Sequence, residues 1–217
     1  MSSRLGPDSP IHRALSWIAA LVVANLACVL LSLPLVTAGA GLLATALVSV
    51  RLIESESTAL LPALSQSLRG AGLAASILLI GEGVLALLLA WEWPLVSALA
   101  NPSARIVARA VLILVAAVLV LAHVWVWPML AYRLVARGRV VVADLPRLLR
   151  ASLLVSIAKL PRSLLAIAVA VGPLALVALS LPWAIRMSFW FLVFGIAFSM
   201  YVCVLATKPV LNPDPVA

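Results

Sequence analysis

Charged residues are scarce in this 217-residue chain. Lys and Arg number 15, Asp and Glu only 7, and together they make up 10% of the sequence, against about 25% in a soluble domain. Apolar residues reach 65% with a mean hydropathy of +1.24, whereas soluble domains contain roughly 45–50%. This composition excludes a soluble globule, and it excludes a disordered chain, because disorder requires low hydrophobicity. The sequence therefore predicts a multi-pass membrane protein.

Cysteine and histidine are also rare, with two residues of each type. Cys28 and Cys203 lie in separate apolar runs, without the Cys/His spacing of a metal site. The chain contains no HExxH and no GxSxG motif, and these are signatures of zinc and serine hydrolases. We therefore expect no metal, no cofactor and no enzymatic activity. The net charge of +8 is typical of arginines that orient membrane helices, and this favours a membrane role over nucleic-acid binding.

Five runs of 21 to 23 residues are long enough to cross about 30 Å of hydrocarbon. They are residues 14–36, 73–93, 110–132, 164–185 and 187–207. Tryptophans near the ends of these runs predict aromatic belts at both interfaces: Trp17, Trp91, Trp93, Trp125, Trp127 and Trp183. We predict an all-α transmembrane bundle of five full spans plus a short return helix. Residues 14–207 would form one membrane domain, between a cytoplasmic segment 1–13 and a cytoplasmic tail 208–217.

The return helix is predicted from a break after the first run. Pro34 ends a regular helix, Gly39 and Gly41 permit a tight reversal, and Thr37 shapes the tip of the hairpin. A helix over residues 42–53 would follow, too short to span alone. Whether residues 38–53 cross the membrane or re-enter it stays open at the level of sequence.

The hairpin decides how the basic residues are distributed. With it, 12 of the 15 Lys and Arg residues lie on the side of both chain ends, and five simple spans would give a weaker asymmetry of 10 to 5. Because cytoplasmic loops collect Lys and Arg, we expect both ends in the cytoplasm and a bacterial cytoplasmic membrane. The predicted cytoplasmic basic loop comprises Arg133, Arg137, Arg139, Arg147, Arg150, Lys159 and Arg162.

Two amphipathic stretches on this side predict helices lying at the membrane surface. One covers residues 57–69. The other begins at Asp144, a residue type that caps helices, and would turn the leucines of 145–153 to lipid and Arg147 and Arg150 to water. These helices would anchor the loops to anionic lipid or dock a cytoplasmic partner.

Glu82 is the only acid deep within a predicted span, and an ionisable residue in that position is a candidate functional site. Glu82 and His123 each lie nine residues from the cytoplasmic end of their runs, and Asn25 lies ten beyond Leu15. At 1.5 Å per residue, all three sit about 14 Å into the bilayer. A Glu82–His123 pair oriented by Asn25 could bind a polar substrate group or relay a proton. The alternative is a packing cluster, with Glu82 held neutral, that only joins three helices.

Residues 25–47, NLACVLLSLPLVTAGAGLLATAL, resemble the opening signature of the YesL-like membrane family, a bacterial family of unknown function. In that family an Asn-Leu helix is followed by Leu-Pro-(Val/Ile)-Val-Thr-x-Gly and an Ala-rich helix. The strings YRLVAR at residues 132–137 and LPRSLL at 160–165 are similar to later family motifs. The resemblance covers roughly residues 14–207. The loop after Ile53 departs from it, because it lacks the family's Lys/Phe-rich character.

The resemblance implies an accessory role in carbohydrate uptake, because family members often lie beside genes for sugar uptake and breakdown. It supplies no catalytic residues. We therefore expect an accessory or regulatory membrane protein, with the lipid bilayer and a sugar-transporter subunit as partners. Two alternatives remain: a small autonomous transporter that uses Glu82 and His123, and a structural protein that self-associates through small-residue helix faces.

Overall fold

The computed structural model describes residues 9–177 and 179–212, and this part of the chain is helical without any strand. The helices are α1 Pro10–Ser32, α2 Leu35–Ser55, α3 Leu60–Ser97, α4 Pro102–Arg137, α5 Leu145–Ala158, α6 Leu160–Val177, α7 Leu181–Trp190 and α8 Ile196–Leu211. A 3-10 turn, Val142–Asp144, precedes α5, and a π-helical turn, Phe191–Gly195, joins α7 to α8. The predicted all-α bundle is confirmed. The predicted terminal segments lie partly outside the described residues, at 1–8 and 213–217.

Six helical stretches in the described part are long and apolar enough to cross a membrane, one more than the five predicted full spans. The additional one is α2. It has 21 residues, so the prediction of a short return helix over 42–53 was wrong. Pro34 stands immediately before α2, where a missing backbone N–H costs nothing, and the helix resumes at once. Thr37 donates its hydroxyl proton to the carbonyl of Leu31 at 2.6 Å and so closes the turn.

Gly39 and Gly41 lie inside α2 and not in the reversal for which they were predicted. A Cβ on Gly39 would overlap the backbone carbonyl of Ala75 on α3, and a Cβ on Gly41 would lie 3.2 Å from the carbonyl oxygen of Cys28 on α1. The glycines therefore allow α1 and α3 to approach α2 closely. The hydroxyl of Ser67 on α3 donates to the carbonyl of Ala40 at 2.7 Å across this contact. As a result α2 is central, with 72% of its apolar window buried against 11–28% for the other spans.

The helices α3 and α4 are longer than a bilayer requires. With 38 and 36 residues, they extend over about 57 and 54 Å at 1.5 Å per residue. The predicted surface helix 57–69 is not separate, because its residues from Leu60 onward form the first turns of α3. Residues 79–97 and 102–121 contain no buried residue. We call this pair of segments the distal arm, and its exposed apolar side chains suit a lipid environment.

The predicted surface helix after Asp144 is observed as α5, but two of its predicted lipid contacts are wrong. Leu145 and Leu148 are buried in the protein core, while Arg147 and Arg150 are exposed as expected. Asp144 does not cap α5 through its side chain. Its carboxylate instead accepts hydrogen bonds from Arg133 Nη2 at 3.2 Å and from the backbone N–H of Val141 at 3.3 Å, so it fixes the loop between α4 and α5.

Polar contacts place four helix ends together at one end of the bundle. Arg13 of α1 lies 3.3 Å from the carboxylate of Glu56, directly after α2. Glu54 accepts hydrogen bonds from the hydroxyl of Tyr132 on α4 at 3.0 Å and from the side-chain amide of Asn212, directly after α8, at 3.1 Å. The start of α1 and the end of α8 therefore share one end of the molecule, as the predicted hairpin requires.

Candidate functional site

The site is built on the antiparallel neighbours α3 and α4. Glu82 of α3 and His123 of α4 are 41 residues apart in sequence, and His123 Nδ1 lies 2.9 Å from Glu82 Oε2. The two side chains therefore meet, as their equal distances from the predicted span ends suggested. Either ring nitrogen of a neutral imidazole can carry the proton, so Nδ1 donates to the carboxylate in one tautomer and in the charged form.

Trp127 is the third member of this cluster. It lies one helical turn after His123, and its indole N–H is 3.2 Å from both Glu82 Oε2 and His123 Nδ1. The Trp127 side chain is fully buried, and only 12% of the Glu82 side chain is exposed. The predicted position of Trp127 in an interfacial belt is therefore wrong, because its polar atom is used inside the bundle. Trp125 is likewise buried, and its N–H donates to the hydroxyl of Ser163 on α6 at 2.8 Å.

The two oxygen atoms of the Glu82 carboxylate differ in their hydrogen bonds. Its Oε2 atom lies within hydrogen-bond distance of two donors, whereas Oε1 is buried and has no hydrogen-bond partner among the described residues. A buried charged oxygen without a partner costs several kcal/mol. One oxygen of this carboxylate is therefore left without a hydrogen-bond partner among the described residues.

His123 also connects this pair to a cavity. The cavity has a volume of about 160 Å³ and lies between α2, α4, α6, the π-helical turn and α8. Most of its lining is apolar, and His123 and Ser199 are its principal polar contributors. The His123 side chain is 41% exposed. One imidazole therefore contacts the Glu82 carboxylate and also borders the cavity.

Asn25 does not join Glu82 and His123, and the predicted three-residue cluster is wrong in this respect. Its side-chain amide Nδ2 donates to the carbonyls of Phe191 at 2.9 Å and Leu192 at 2.7 Å, and its Oδ1 accepts from the backbone N–H of Ala197 at 2.9 Å. These backbone groups belong to the π-helical turn and the residues directly after it, where the regular hydrogen-bond pattern is interrupted. Asn25 thus holds the π-helical turn from another helix.

The predicted basic loop contributes one ion pair and several free charges. Arg133 lies 3.2 Å from Asp144. The other predicted members make no side-chain hydrogen bond within 9–177 and 179–212: Arg137, Arg139, Arg147, Arg150, Lys159 and Arg162. Among these, Arg139 lines a groove described below, and the others are exposed.

Sequence reasoning missed two parts of the site. The position of Trp127, four residues after His123, places both on one face of α4, and that spacing could have identified it. The cavity had no comparable signal, since its lining comes from four parts of the chain. In comparisons with known proteins, no family model, curated protein or solved structure matches the chain.

Proposed function

We propose that this chain is a small proton-linked membrane transporter in which Glu82 and His123 form the proton site. The observation that carries the proposal is the 2.9 Å contact between the two residues, made by a carboxyl group whose buried Oε1 atom has no hydrogen-bond partner in the described part of the chain. In the proposed step, His123 receives a proton from the cavity on one ring nitrogen. It releases the proton on Nδ1 to Glu82, which becomes a neutral acid, and the reverse sequence returns the proton.

The cavity limits which solute accompanies the proton. Every hydroxyl of a sugar that leaves water needs a hydrogen-bond partner, and the lining offers few polar groups besides His123 and Ser199. A small, largely apolar solute with one or two polar groups fits this lining better than a carbohydrate does.

Infrared difference spectroscopy tests the proton site without knowledge of the solute. We expect the purified protein in lipid to show a pH-dependent carboxylic acid C=O band that Glu82→Gln removes, because the amide cannot bind a proton. Glu92→Gln is the matched control, since Glu92 lies on the same helix but is exposed. In liposomes containing a pH-sensitive dye, the Glu82→Gln variant should also lose proton flux. A Glu82→Gln variant that folds normally and retains the band would contradict the proposal.

A second candidate is an accessory subunit of a transporter, as the YesL-like resemblance implies. The distal arm favours it, because residues 79–97 and 102–121 have no buried residue and offer a large apolar surface within the membrane. A sugar would then pass through the partner and not through the small cavity of this chain. Protein that moves no protons alone but is recovered from native membranes with a permease or ATPase subunit would favour this candidate.

The same proposal assigns an orientation. Both described chain ends lie at one end of the bundle, and that end carries Arg13 and Arg51. The positive-inside tendency supports a cytoplasmic location for this end, in a bacterial cytoplasmic membrane.

A further inference from the structure

A second feature lies away from the Glu82–His123 pair, where α3 meets the loop after α4. Two adjoining grooves there have volumes of about 430 and 450 Å³, and Arg69 and Arg139 line both of them. Both arginines are exposed, and neither side chain makes a hydrogen bond or ion pair within the described residues. Two guanidinium groups therefore share one concave surface, and the described residues supply no partner for either.

The surrounding polar groups leave this charge uncompensated. Among residues 9–177 and 179–212, no acidic side chain lines either groove. The nearest acid in sequence, Asp144, is occupied by Arg133 and by the backbone N–H of Val141. Gln66, which lines one groove, accepts a hydrogen bond from Arg51 at 2.8 Å. The charge of the grooves is therefore complementary to an anion, and paired guanidinium groups bind phosphate oxygens in a bidentate geometry.

An apolar groove continues from this basic surface along α2 and α3. Its volume is about 260 Å³, and it shares Leu68, Gly72 and Leu73 with the first basic groove. Val36 of α2 also lines it. A Cβ on Gly72 would meet only one atom within 4 Å, the carbonyl oxygen of Ser67 at 3.7 Å. The absence of a side chain at Gly72 therefore leaves the groove unobstructed at this position.

We propose that this combined surface binds one anionic phospholipid. The phosphate of the headgroup lies between Arg69 and Arg139, and part of an acyl chain lies along Leu73, Gly72 and Val36. A free phosphate ion would use only the basic end, whereas a phospholipid uses both ends. Basic pockets beside membrane helices on the cytoplasmic side are sites of this kind. The inference does not depend on the proposed proton site.

Lipid retained through detergent purification tests the proposal. We expect the wild-type protein, exchanged into phosphatidylglycerol and then washed with neutral detergent, to retain about one lipid per chain by native mass spectrometry, with little retention of phosphatidylcholine. The Arg69→Gln/Arg139→Gln variant should retain at least about fivefold less, because both charge-assisted contacts are lost. The matched control is Arg147→Gln/Arg150→Gln, which removes two exposed arginines outside the grooves and should retain lipid normally.

Two further measurements distinguish the sources of the phosphate group. Gly72→Leu fills the apolar groove and keeps both arginines, so we expect it to reduce lipid retention while the protein remains folded. Inorganic phosphate at millimolar concentration should not displace the lipid. Equal retention of phosphatidylcholine, normal retention by the Arg69/Arg139 variant, or complete displacement by inorganic phosphate would each overturn the proposal.

Discussion

Asn25 shows how much a single side chain can determine in this bundle. Its amide satisfies three backbone groups of the last spanning segment, two carbonyls and one N–H, at 2.7–2.9 Å. Inside a bilayer no water is present to form hydrogen bonds with these groups, so a π-helical turn needs a partner from within the protein. The Asn25 side chain is fully buried, and its hydrogen-bonding capacity is almost completely used by this contact. Asn25 therefore serves packing, and Glu82 and His123 contact each other elsewhere in the bundle.

Replacing Asn25 with Ala should destabilise the protein by about 2 kcal/mol or more, because it leaves three buried backbone groups without partners. Unfolding of the purified protein in mixed micelles measures this loss. Ser32→Ala is a suitable control: the hydroxyl of Ser32 contacts Cys28 one turn earlier in its own helix and donates to its carbonyl, and we expect a change below about 0.5 kcal/mol. Equal stabilities of the two variants would show that the Asn25 contact contributes little.

At the scale of helices, the glycines form two groups: in one, a neighbouring helix occupies the space of a Cβ, and in the other no described atom does. Gly39 has no room for a Cβ, because the backbone of Ala75 occupies that space. Gly81 and Gly83, on the distal arm, have nothing within 4 Å of an added Cβ. Glycine costs roughly 0.5–1 kcal/mol relative to alanine within a helix. At Gly39 the close contact between α2 and α3 offsets this cost, whereas at Gly81 no contact within the described chain does so.

The two groups predict opposite responses to the same substitution. Gly39→Ala should lower the free energy of unfolding by about 1–3 kcal/mol, since α2 and α3 must separate to admit the methyl group. Gly81→Ala should leave stability unchanged or raise it by up to about 1 kcal/mol. Thermal unfolding of both variants in one detergent gives the comparison. Marked destabilisation by Gly81→Ala would mean that a partner packs against the distal arm in the purified protein.

For the whole molecule, the even number of candidate spans has a direct consequence. Six crossings return the chain to the side on which it started, in agreement with the contacts that join Arg13 to Glu56 and Asn212 to Glu54. The loop between α3 and α4 then lies on the opposite side. Near that loop Arg109 donates to the hydroxyl of Ser97 at 3.0 Å and packs over the ring of Trp93.

Cysteine labelling tests this topology in a background without Cys28 and Cys203. We expect Ser57→Cys, in the loop after α2, to react with an impermeant maleimide only from the cytoplasmic side, and Ala100→Cys, in the loop after α3, only from the opposite side. Arg147→Cys should behave like Ser57→Cys if the basic loop is cytoplasmic. Labelling of positions 57 and 100 from the same side would refute six crossings.

The fixed rise of a helix let the sequence predict how deep each residue lies in the bundle, but not which neighbour each residue contacts. Counting residues from the ends of the apolar runs gives the depth of a residue in the membrane. The equal depths of Glu82 and His123 predicted that they could meet, and they do. Depth does not give the direction in which a side chain faces, so Asn25, predicted at the same depth, was placed in the wrong cluster. Neighbouring helices decide that direction, and their packing is not a local property of the sequence.

Residues 35–41 illustrate a second limit. Their glycines and small side chains are typical of a turn, and helix propensity alone supports that interpretation. In the structure the same residues form the first turns of α2, because small side chains let the helix approach α1 and α3 closely. Here the burial of α2 between other helices outweighs the low helix propensity of its glycines. The end of a regular helix at Pro34 was correctly predicted from the proline, but the reversal was predicted too late in the sequence.

The contact between Asn25 and the π-helical turn also imposes an order on biosynthesis. Residue 25 leaves the ribosome more than 160 residues before Phe191 and Leu192. During that interval the Asn25 amide lacks these three backbone partners, which can reach it only after the final transmembrane segment has been synthesised. Completion of the bundle is therefore a late event in synthesis, in which the newest part of the chain docks against the oldest.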